Sequence, residues 1–530
     1  MIWLSKAFAF ENTKYQHPEG AENKEDNPMK KFLSLFLALA LVLSVCSFAA
    51  ADDLPTITIM FHGSNVSDDS AVLEKVNEYI ADKVGAKLEV IWGTWGDFDE
   101  KAVNALTSGD KDVDMVFTCS WSADEYNSYA KKGYFLKLDE LIDQFGADLK
   151  AAIPESLMQA ATIEGAEGKG IYAVNGFKDT ATQNTWDVNV TLLTELGYTL
   201  DDLMAKGFFG WDEIFAKAKE VKGDSFYPFL VEPMVAERMV TNSIIVAGDA
   251  GSTNLLSLYL NPEDVSADGA YGNKLLNKFA TDEYKAFVEQ MHKYYEAGYI
   301  DPALSVAETS NDARTNHQKD ASYLIGTQSY AFGYEFSADV LARGVEVQFV
   351  PCTAPYVDTT ASQGAMMAIN SASEHPEEAF KFLALLNSDP ALMTLMNYGV
   401  EGIHYTLNDD GLVVFNADAR ATYSPWTNGM GNVTILPDTA DEGAGFRKSF
   451  QEYYAGAKGI PSLGFVFDNS PVENEMAALG NVAAQYALAL DCGAVDPETE
   501  LPAFLSALES AGMQAYLDEA NSQLDAYLAK

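Results

Sequence analysis

Seven tryptophans punctuate this 530-residue chain, and the local spacing around several of them suits non-covalent capture of a small polar molecule. Trp95 and Asp97 stand in the run Trp92-Gly93-Thr94-Trp95-Gly96-Asp97. Trp121 follows Cys119-Ser120, and Tyr423 and Trp426 share the run Tyr-Ser-Pro-Trp-Thr-Asn-Gly. A flat ring covers an apolar face with little loss of entropy, because it has few rotatable bonds. A nearby Asp, Asn, Glu or His then fixes orientation through hydrogen bonds. Each residue also has a structural reading. Large tryptophans are mostly buried in any fold, and the strand phase of Trp92 assigns it to the core. Asp97 after a glycine is a common turn residue.

Motifs for bond-making chemistry are absent. There is no GxSxG, no HExxH and no P-loop. The lysine in Gly165-Ala-Glu-Gly-Lys-Gly170 lacks the Ser or Thr a phosphate loop needs. Six histidines are scattered without ligand spacing, and no CxxC occurs, so neither a metal nor another cofactor is expected. The chain carries 34 Lys+Arg and 78 Asp+Glu, a net charge of -44. Such a field repels nucleic acid and anionic membrane, and argues against tightly bound anions. With so many acids, carboxylate pairs arise by chance. A secreted glycoside hydrolase, which needs two carboxylates ~5–9.5 Å apart, is therefore kept only as an alternative.

These side chains need elements to position them. Thr56–Phe61 alternates as a strand. Val72, Val76, Tyr79, Ile80 and Val84 then share one helical face, and Gly85 ends the helix. Leu88, Val90 and Trp92 alternate again, a short helix lies around Lys101–Leu106, and Val113–Thr118 is a third strand. Strand–helix–strand–helix–strand predicts a parallel sheet whose ligands sit beyond the carboxyl ends of its strands. Those ends are His62-Gly63, Gly93–Asp97 and Cys119–Trp121. Ile171–Val174 reads as a crossing, 190–320 as mostly helical, Val345–Val350 and Gly364–Asn370 as strands, and Val472–Lys530 as helical. Pro376 opens a helix with Glu377 and Glu378 at its positive end and Ala379, Phe380, Leu383 and Leu386 buried.

The start of the chain reads as an export signal. Met29-Lys30-Lys31 is basic, Phe32–Val45 is apolar, and Ala49-Ala50-Ala51 precedes Asp52-Asp53, so cleavage is expected after Ala51. Met29 is read as the true start and 1–28 as an extension. Residues 1–51 hold five Lys+Arg and five Asp+Glu, so the mature chain keeps the net charge of -44. Leu43-Ser44-Val45-Cys46 resembles a lipobox, which would put a lipid on Cys46. Val45 departs from the small residue normally found there and argues against the modification. Cys119, Cys352 and Cys492 are far apart and odd in number, so no disulfide framework is expected.

A family resemblance follows from these pieces. Trp92–Asp97, Asp114-Met-Val-Phe-Thr118 with Trp121, Gly170-Ile-Tyr-Ala-Val-Asn175, and Asn370-Ser-Ala-Ser373 with Pro376-Glu-Glu-Ala379 together resemble family 1 of the extracellular solute-binding proteins. Asn397-Tyr-Gly-Val-Glu-Gly-Ile-His-Tyr405, Gly464-Phe-Val-Phe-Asp468 and Pro471-Val472 resemble its lipoprotein-like branch with an uncharacterised C-terminal domain. The resemblance implies an α/β, two-lobed, periplasmic-binding-protein-like fold of type II. Each lobe is a sheet flanked by helices, and a hinge joins them. The expected division is 52–174 plus 364–405 for lobe 1 and 175–363 plus 406–530 for lobe 2, after a signal peptide over 29–51. It implies no catalysis, partnership with ABC permease subunits, and usually a carbohydrate ligand; a peptide or another polar solute is the alternative within the same receptor reading. The protein is expected as a monomer outside the cell, secreted or lipid-anchored to the membrane's outer face.

The candidate binding residues are then Trp95 and Asp97 at the second strand's end and Trp121 at the third. Asn175 stands at the first crossing, Trp186 just inside the second lobe, and Glu401 and His404 at the chain's return. Tyr423 and Trp426 are placed on the second lobe's side of the cleft. Glu401 and His404 are equally suited to tying the hinge.

Overall fold

Alternating apolar residues make Thr56–Phe61 a strand (β1), with Ile57 and Ile59 wholly buried. The computed structural model describes residues 54–529 apart from 63–64, 179, 250–253 and 331. The stretches read as an extension (1–28) and an export signal (29–51), with Cys46, lie outside the described residues.

Valines and isoleucine at four-residue spacing (Val72, Val76, Ile80, Val84) form the buried stripe of helix α1 (Ser70–Val84). Gly85, at φ 81°, takes the left-handed conformation that ends it. The chain continues through β2 (Lys87–Trp92), α2 (Phe98–Ser108) and β3 (Met115–Thr118). β2 and β3 flank β1 and run parallel to it, as helical crossovers require. β4 (Ala173–Asn175) lies on the far edge.

A second sheet is made from β5 (Gln183–Asn189), β6 (Phe229–Leu230), β7 (Ile325–Tyr330) and β8 (Val347–Pro351), in the order β8-β5-β7-β6. β7 pairs antiparallel with β5 and parallel with β6. The chain then returns along β9 (Met366–Ile369), which enters the first sheet antiparallel between β3 and β4 and completes the order β2-β1-β3-β9-β4. The return is tied down at both flanks. Buried Asp114 accepts from the Thr58 N–H at 2.8 Å and from the Ser373 hydroxyl, and Asn370 donates to the carbonyls of Asp110 and Val113.

This is the expected two-lobed α/β architecture, each sheet with its own helices. α3 (Pro233–Thr241) and α4 (Asp282–Glu296) cover the second lobe. α5 (Pro376–Ser388) and α6 (Pro390–Tyr398) pack against α1 of the first. The C-terminal helices α7 (Glu473–Asp491), α8 (Pro497–Ser510) and α9 (Met513–Leu528) pack on one another, and α7 also contacts α3 and α4.

Two local expectations change. Ile171–Val174 is not the crossing: Ile171 ends a hairpin with Thr162–Gly165, Ala173 and Val174 belong to β4, and the chain leaves the first sheet after Asn175. The 190–320 stretch also contains strands, at Phe229–Leu230, Ser243–Ile245, Leu256–Tyr259 and Leu276–Asn277.

Candidate ligand-binding cleft

The carboxyl ends of β1, β2 and β3 deliver three rings to one place. His62 follows β1, Trp95 stands in the turn after β2, and Trp121 follows β3. The turn after β2 is tight at Gly93, where a Cβ would come within 2.8 Å of Phe98. Asp97 closes it by accepting from the Thr94 N–H (2.7 Å) and hydroxyl (2.9 Å). The Lys101 ammonium, 2.7 Å away, and the two Thr94 bonds bring the Asp97 carboxyl down to about 2. Asp97 thus holds the Trp95 turn rather than lying bare for a ligand. Trp121 is fixed by its indole N–H, which donates to the Gly364 carbonyl at 2.9 Å. Beside it Ser120 binds the carbonyls of Gln363 and Thr360, so the end of β3 is stitched to the segment between the lobes.

Trp426 completes the cluster. Its ring lies 5.1 Å from Trp95 and 6.1 Å from Trp121, and Trp95 stacks on Trp121 at 6.1 Å with 25° between planes. All three surround the buried His62 imidazole, at 4.5, 5.4 and 6.3 Å for Trp95, Trp121 and Trp426. Burial lowers the pKa of His62, partly opposed by Asp99, so an uncharged ring underlies the platform at neutral pH. Trp95 is 62% and Trp121 49% exposed, high values for rings this large. They are an apolar surface awaiting a partner.

A cavity of about 310 Å³ opens beside Trp121 and Trp426. Its opposite wall comes from the second lobe: Arg238 on α3, Ile244 and Ile245 on the following strand, and Tyr330 at the end of β7. Tyr356, Asp358 and Lys178, from the segments between the sheets, also line it. Asp358 accepts from the Ala361 N–H and the Thr182 hydroxyl, each at 2.8 Å. Burial raises its pKa, and Arg238 counteracts this. Apolar walls with a few placed polar groups are the usual make-up of a small-molecule site.

Of the residues singled out in the sequence, Trp95, Trp121 and Trp426 come together, and of these Trp121 and Trp426 line the cavity. The others do not face it. Asn175 is buried and donates to the Ser362 carbonyl at 2.7 Å. Trp186 is a core residue, 4.8 Å from Trp211 and packed on Phe208 and Phe229, because β5 is buried on both faces. Tyr423 is wholly buried. Its hydroxyl donates to the Met396 carbonyl at 2.6 Å, and its ring meets Trp92 and His404 edge-on. Tyr423-Ser424 pairs with Asn65-Val66, so this part of the tail sits with the first lobe rather than the second. His404 accepts the Val400 N–H, four residues back, at 3.0 Å, and Glu401 is exposed, so neither lines the cavity. Trp92 packs on Phe61 and donates to Asp69, as its strand phase implied.

The sequence reading missed His62, Arg238, Tyr330 and Asp358. His62 had a signal, its place at a strand's carboxyl end. The other three are brought in by long-range folding. Among the described residues, no three His, Cys, Asp or Glu side chains gather as a metal site.

Asp124, three residues beyond Trp121, is wholly buried, and among the described residues neither carboxyl oxygen has a well-formed hydrogen bond, Ser122 being the side chain that most offsets its burial. Burial pushes its pKa from 3.8 to about 7. The folded carboxyl therefore keeps its proton to higher pH than the unfolded one. Stability should fall as pH rises between those values and level off above. Asp124→Asn keeps the shape without the charge. Urea unfolding at pH 5 and pH 8 should show a smaller difference for the variant than for the parent; equal differences would contradict the assignment.

The comparisons with known proteins fit this geometry. The family described as bacterial extracellular solute-binding protein matches residues 63–393, more than half of the chain. The chain belongs to that family. A domain of unknown function (DUF3502) matches residues 461–529 of this solute-binding protein, the stretch holding α7 to α9. It is 26% identical, over 93% of its length and 96% of the relative's, to a carbohydrate ABC transporter substrate-binding protein of Streptococcus pneumoniae serotype 4. Its fold matches the N-glycan transport solute binding protein NgtS of Streptococcus pneumoniae with a TM-score of 0.74 at 24% identity, covering 90% of this chain and 99% of that one. NgtS in complex with Man5GlcNAc matches with a TM-score of 0.64 at 25% identity, over 90% and 99% of the two chains. An extracellular solute-binding protein of Bifidobacterium longum subsp. infantis gives 0.60 at 16% identity, over 90% and 99%. Among the described residues, no helix is long and apolar enough to cross a membrane.

Proposed function

We propose that this solute-binding protein captures a carbohydrate between its two lobes and delivers it, chemically unchanged, to the permease of an ABC importer. The observation that carries the reading is the platform. Three indoles converge on one buried imidazole at the carboxyl ends of parallel strands, two of them 62% and 49% exposed, with the polar groups of the second lobe opposite. Sugar rings offer apolar C–H faces that stack on indoles and hydroxyls that pair with groups such as Arg238, Tyr330 and Asp358. The full-length relative described as a carbohydrate ABC transporter substrate-binding protein supports the same ligand class and partner.

The first-lobe platform binds first in this reading, and contacts to the second lobe form only on closure. Closure is favoured by that difference in contact free energy, and reversing a 1:99 equilibrium takes about 5.5 kcal/mol of it. A thermal-shift screen against mono- and oligosaccharides tests the ligand class. A binder at 100 times its Kd stabilises by about 2.7 kcal/mol. The expected result is a clear upward shift with at least one sugar, compaction in small-angle scattering with that sugar, and its recovery intact. Release of shortened products would point to a hydrolase instead, and an unchanged scattering profile with a bound sugar would remove the closure step.

A further inference from the structure

A second cavity, of about 320 Å³, shares no lining residue with the platform cavity. Phe332 and Phe336, from the loop after β7, line one part of it. The helix Phe446–Gly456 adds the buried rings of Phe446 and Phe450. Phe336, 37% exposed, meets Phe446 edge-on at 5.7 Å and offers an apolar face. The loop that carries Phe336 is held in place, because the Tyr330 hydroxyl donates to Glu335 at 2.9 Å.

The charged side chains that line this cavity fall into two kinds. Glu442 and Arg447 neutralise each other at 2.7 Å. Arg420 and Asp441 also carry opposite charges, yet among the described residues neither forms an ion pair, with the other or with any third group. Arg420 is fixed all the same. Its guanidinium lies over the Phe415 ring at 4.6 Å and donates to the Asn397 carbonyl at 3.2 Å. That uses one of the five N–H donors a guanidinium has. Burial lowers its pKa, opposed by Tyr398 and Tyr423 and by no carboxylate. A charge taken from water without a counterion is costly. Asp441 is exposed, and among the described residues its carboxylate makes no hydrogen bond.

We infer that this cavity is a second binding site, for a small zwitterion rather than a sugar: a free α-amino acid with its carboxylate on Arg420, its ammonium on Asp441 and an apolar side chain against Phe336 and Phe446. An anion alone would face Asp441 and Glu442, and a cation alone would face Arg420 and Arg447. A molecule with both charges gives each unpaired group its complement, and the guanidinium fork matches a carboxylate. The size agrees: about 320 Å³ is at the bottom of the ~300–1,000 Å³ range of ligand pockets, so the occupant is small. None of these residues belongs to the tryptophan platform, so the site stands whether or not the platform takes a sugar.

The test is calorimetry on the mature protein with L-phenylalanine and L-leucine, and with the amide and N-acetyl derivative of each, which lack the carboxylate and the ammonium respectively. Phenylalanine or leucine should bind at one site per chain. Its amide and its N-acetyl form should each bind about tenfold or more weakly, the loss of one charged hydrogen-bonding partner. Asp441→Asn, at an exposed position, should weaken the parent amino acid by a similar factor and leave the N-acetyl form, which has no ammonium, unchanged. Phe336→Ala should weaken both. Trp121→Ala should leave amino-acid binding as it was. Binding by neither amino acid, blocked forms that bind as well as the parent compound, or an Asp441→Asn protein with undiminished affinity each overturns the site. Loss of amino-acid binding in Trp121→Ala overturns it too, by placing the ligand on the platform.

Discussion

Trp121→Ala should weaken sugar binding about thirtyfold, the equivalent of ~2 kcal/mol lost with an aromatic anchor, while the free protein melts almost where the parent does. The two halves of this result have separate causes. The indole is 49% exposed, so its removal opens no cavity in the core. Its one hydrogen bond goes to the Gly364 carbonyl, which lines the open cleft and can take water instead. Surface changes of that kind usually stay within about 0.5 kcal/mol of the parent. The ligand, by contrast, loses the most exposed indole that lines the cavity, the ring on which Trp95 stacks. Trp186→Ala is the contrasting variant: a buried indole among Trp211, Phe208 and Phe229, whose loss should cost ~3–5 kcal/mol of stability. Calorimetric binding and unfolding on both variants separate platform from core. A Trp121→Ala protein that binds sugar like the parent would sink the platform assignment.

That contrast shows what the sequence reveals. The first lobe is legible because its signals are local. Four-residue spacing in α1, alternation in β1 and the glycines that end α1 and β2 (Gly85, Gly93) all act within a few residues. Trp186 is different: all seven residues of β5 are buried although Gln183, Asn184, Thr185, Asp187 and Asn189 are polar, so polarity does not mark which face of the strand is covered. Tyr423 and Trp426 share one short run yet part company, because pairing of 423–424 with 65–66 drives the tyrosine inward. That partner lies some 360 positions away and leaves no mark in the local spacing. The second-lobe wall is hidden for the same reason. Arg238 comes from a helix, Tyr330 from a strand end and Asp358 from a connecting segment, and only the long-range fold sets them in one cavity with Trp121.

The second lobe has its own point of failure, and Arg343→Met should reveal it by destabilising the protein by ~3–5 kcal/mol. Arg343 and Asp187 form an ion pair at 2.8 Å with side chains only 2% and 1% exposed, and the Tyr323 hydroxyl donates to the same carboxylate at 2.8 Å. Asp187 sits in the middle of β5, the strand paired with both β7 and β8. Burial raises the pKa of its carboxyl even with the guanidinium alongside. Removing Arg343 leaves that charge in the sheet without its counterion, and the pKa must rise further. The folded state then holds a proton that the unfolded chain releases, so the loss of stability should be smallest at acid pH and grow as pH rises. Replacing the pair together, Asp187→Leu with Arg343→Met, should recover most of the loss, since a matched apolar pair is often no worse than a buried ion pair. Denaturant unfolding at pH 5 and pH 8 on the single and double variants reads all of this. A single variant with parental stability at pH 8, or a double variant worse than the single, would show that the pair does not hold the sheet. Because β7 also carries Tyr330 into the cleft, saturating sugar should raise the stability of the single variant by mass action, which ties the strength of this sheet to occupancy of the site.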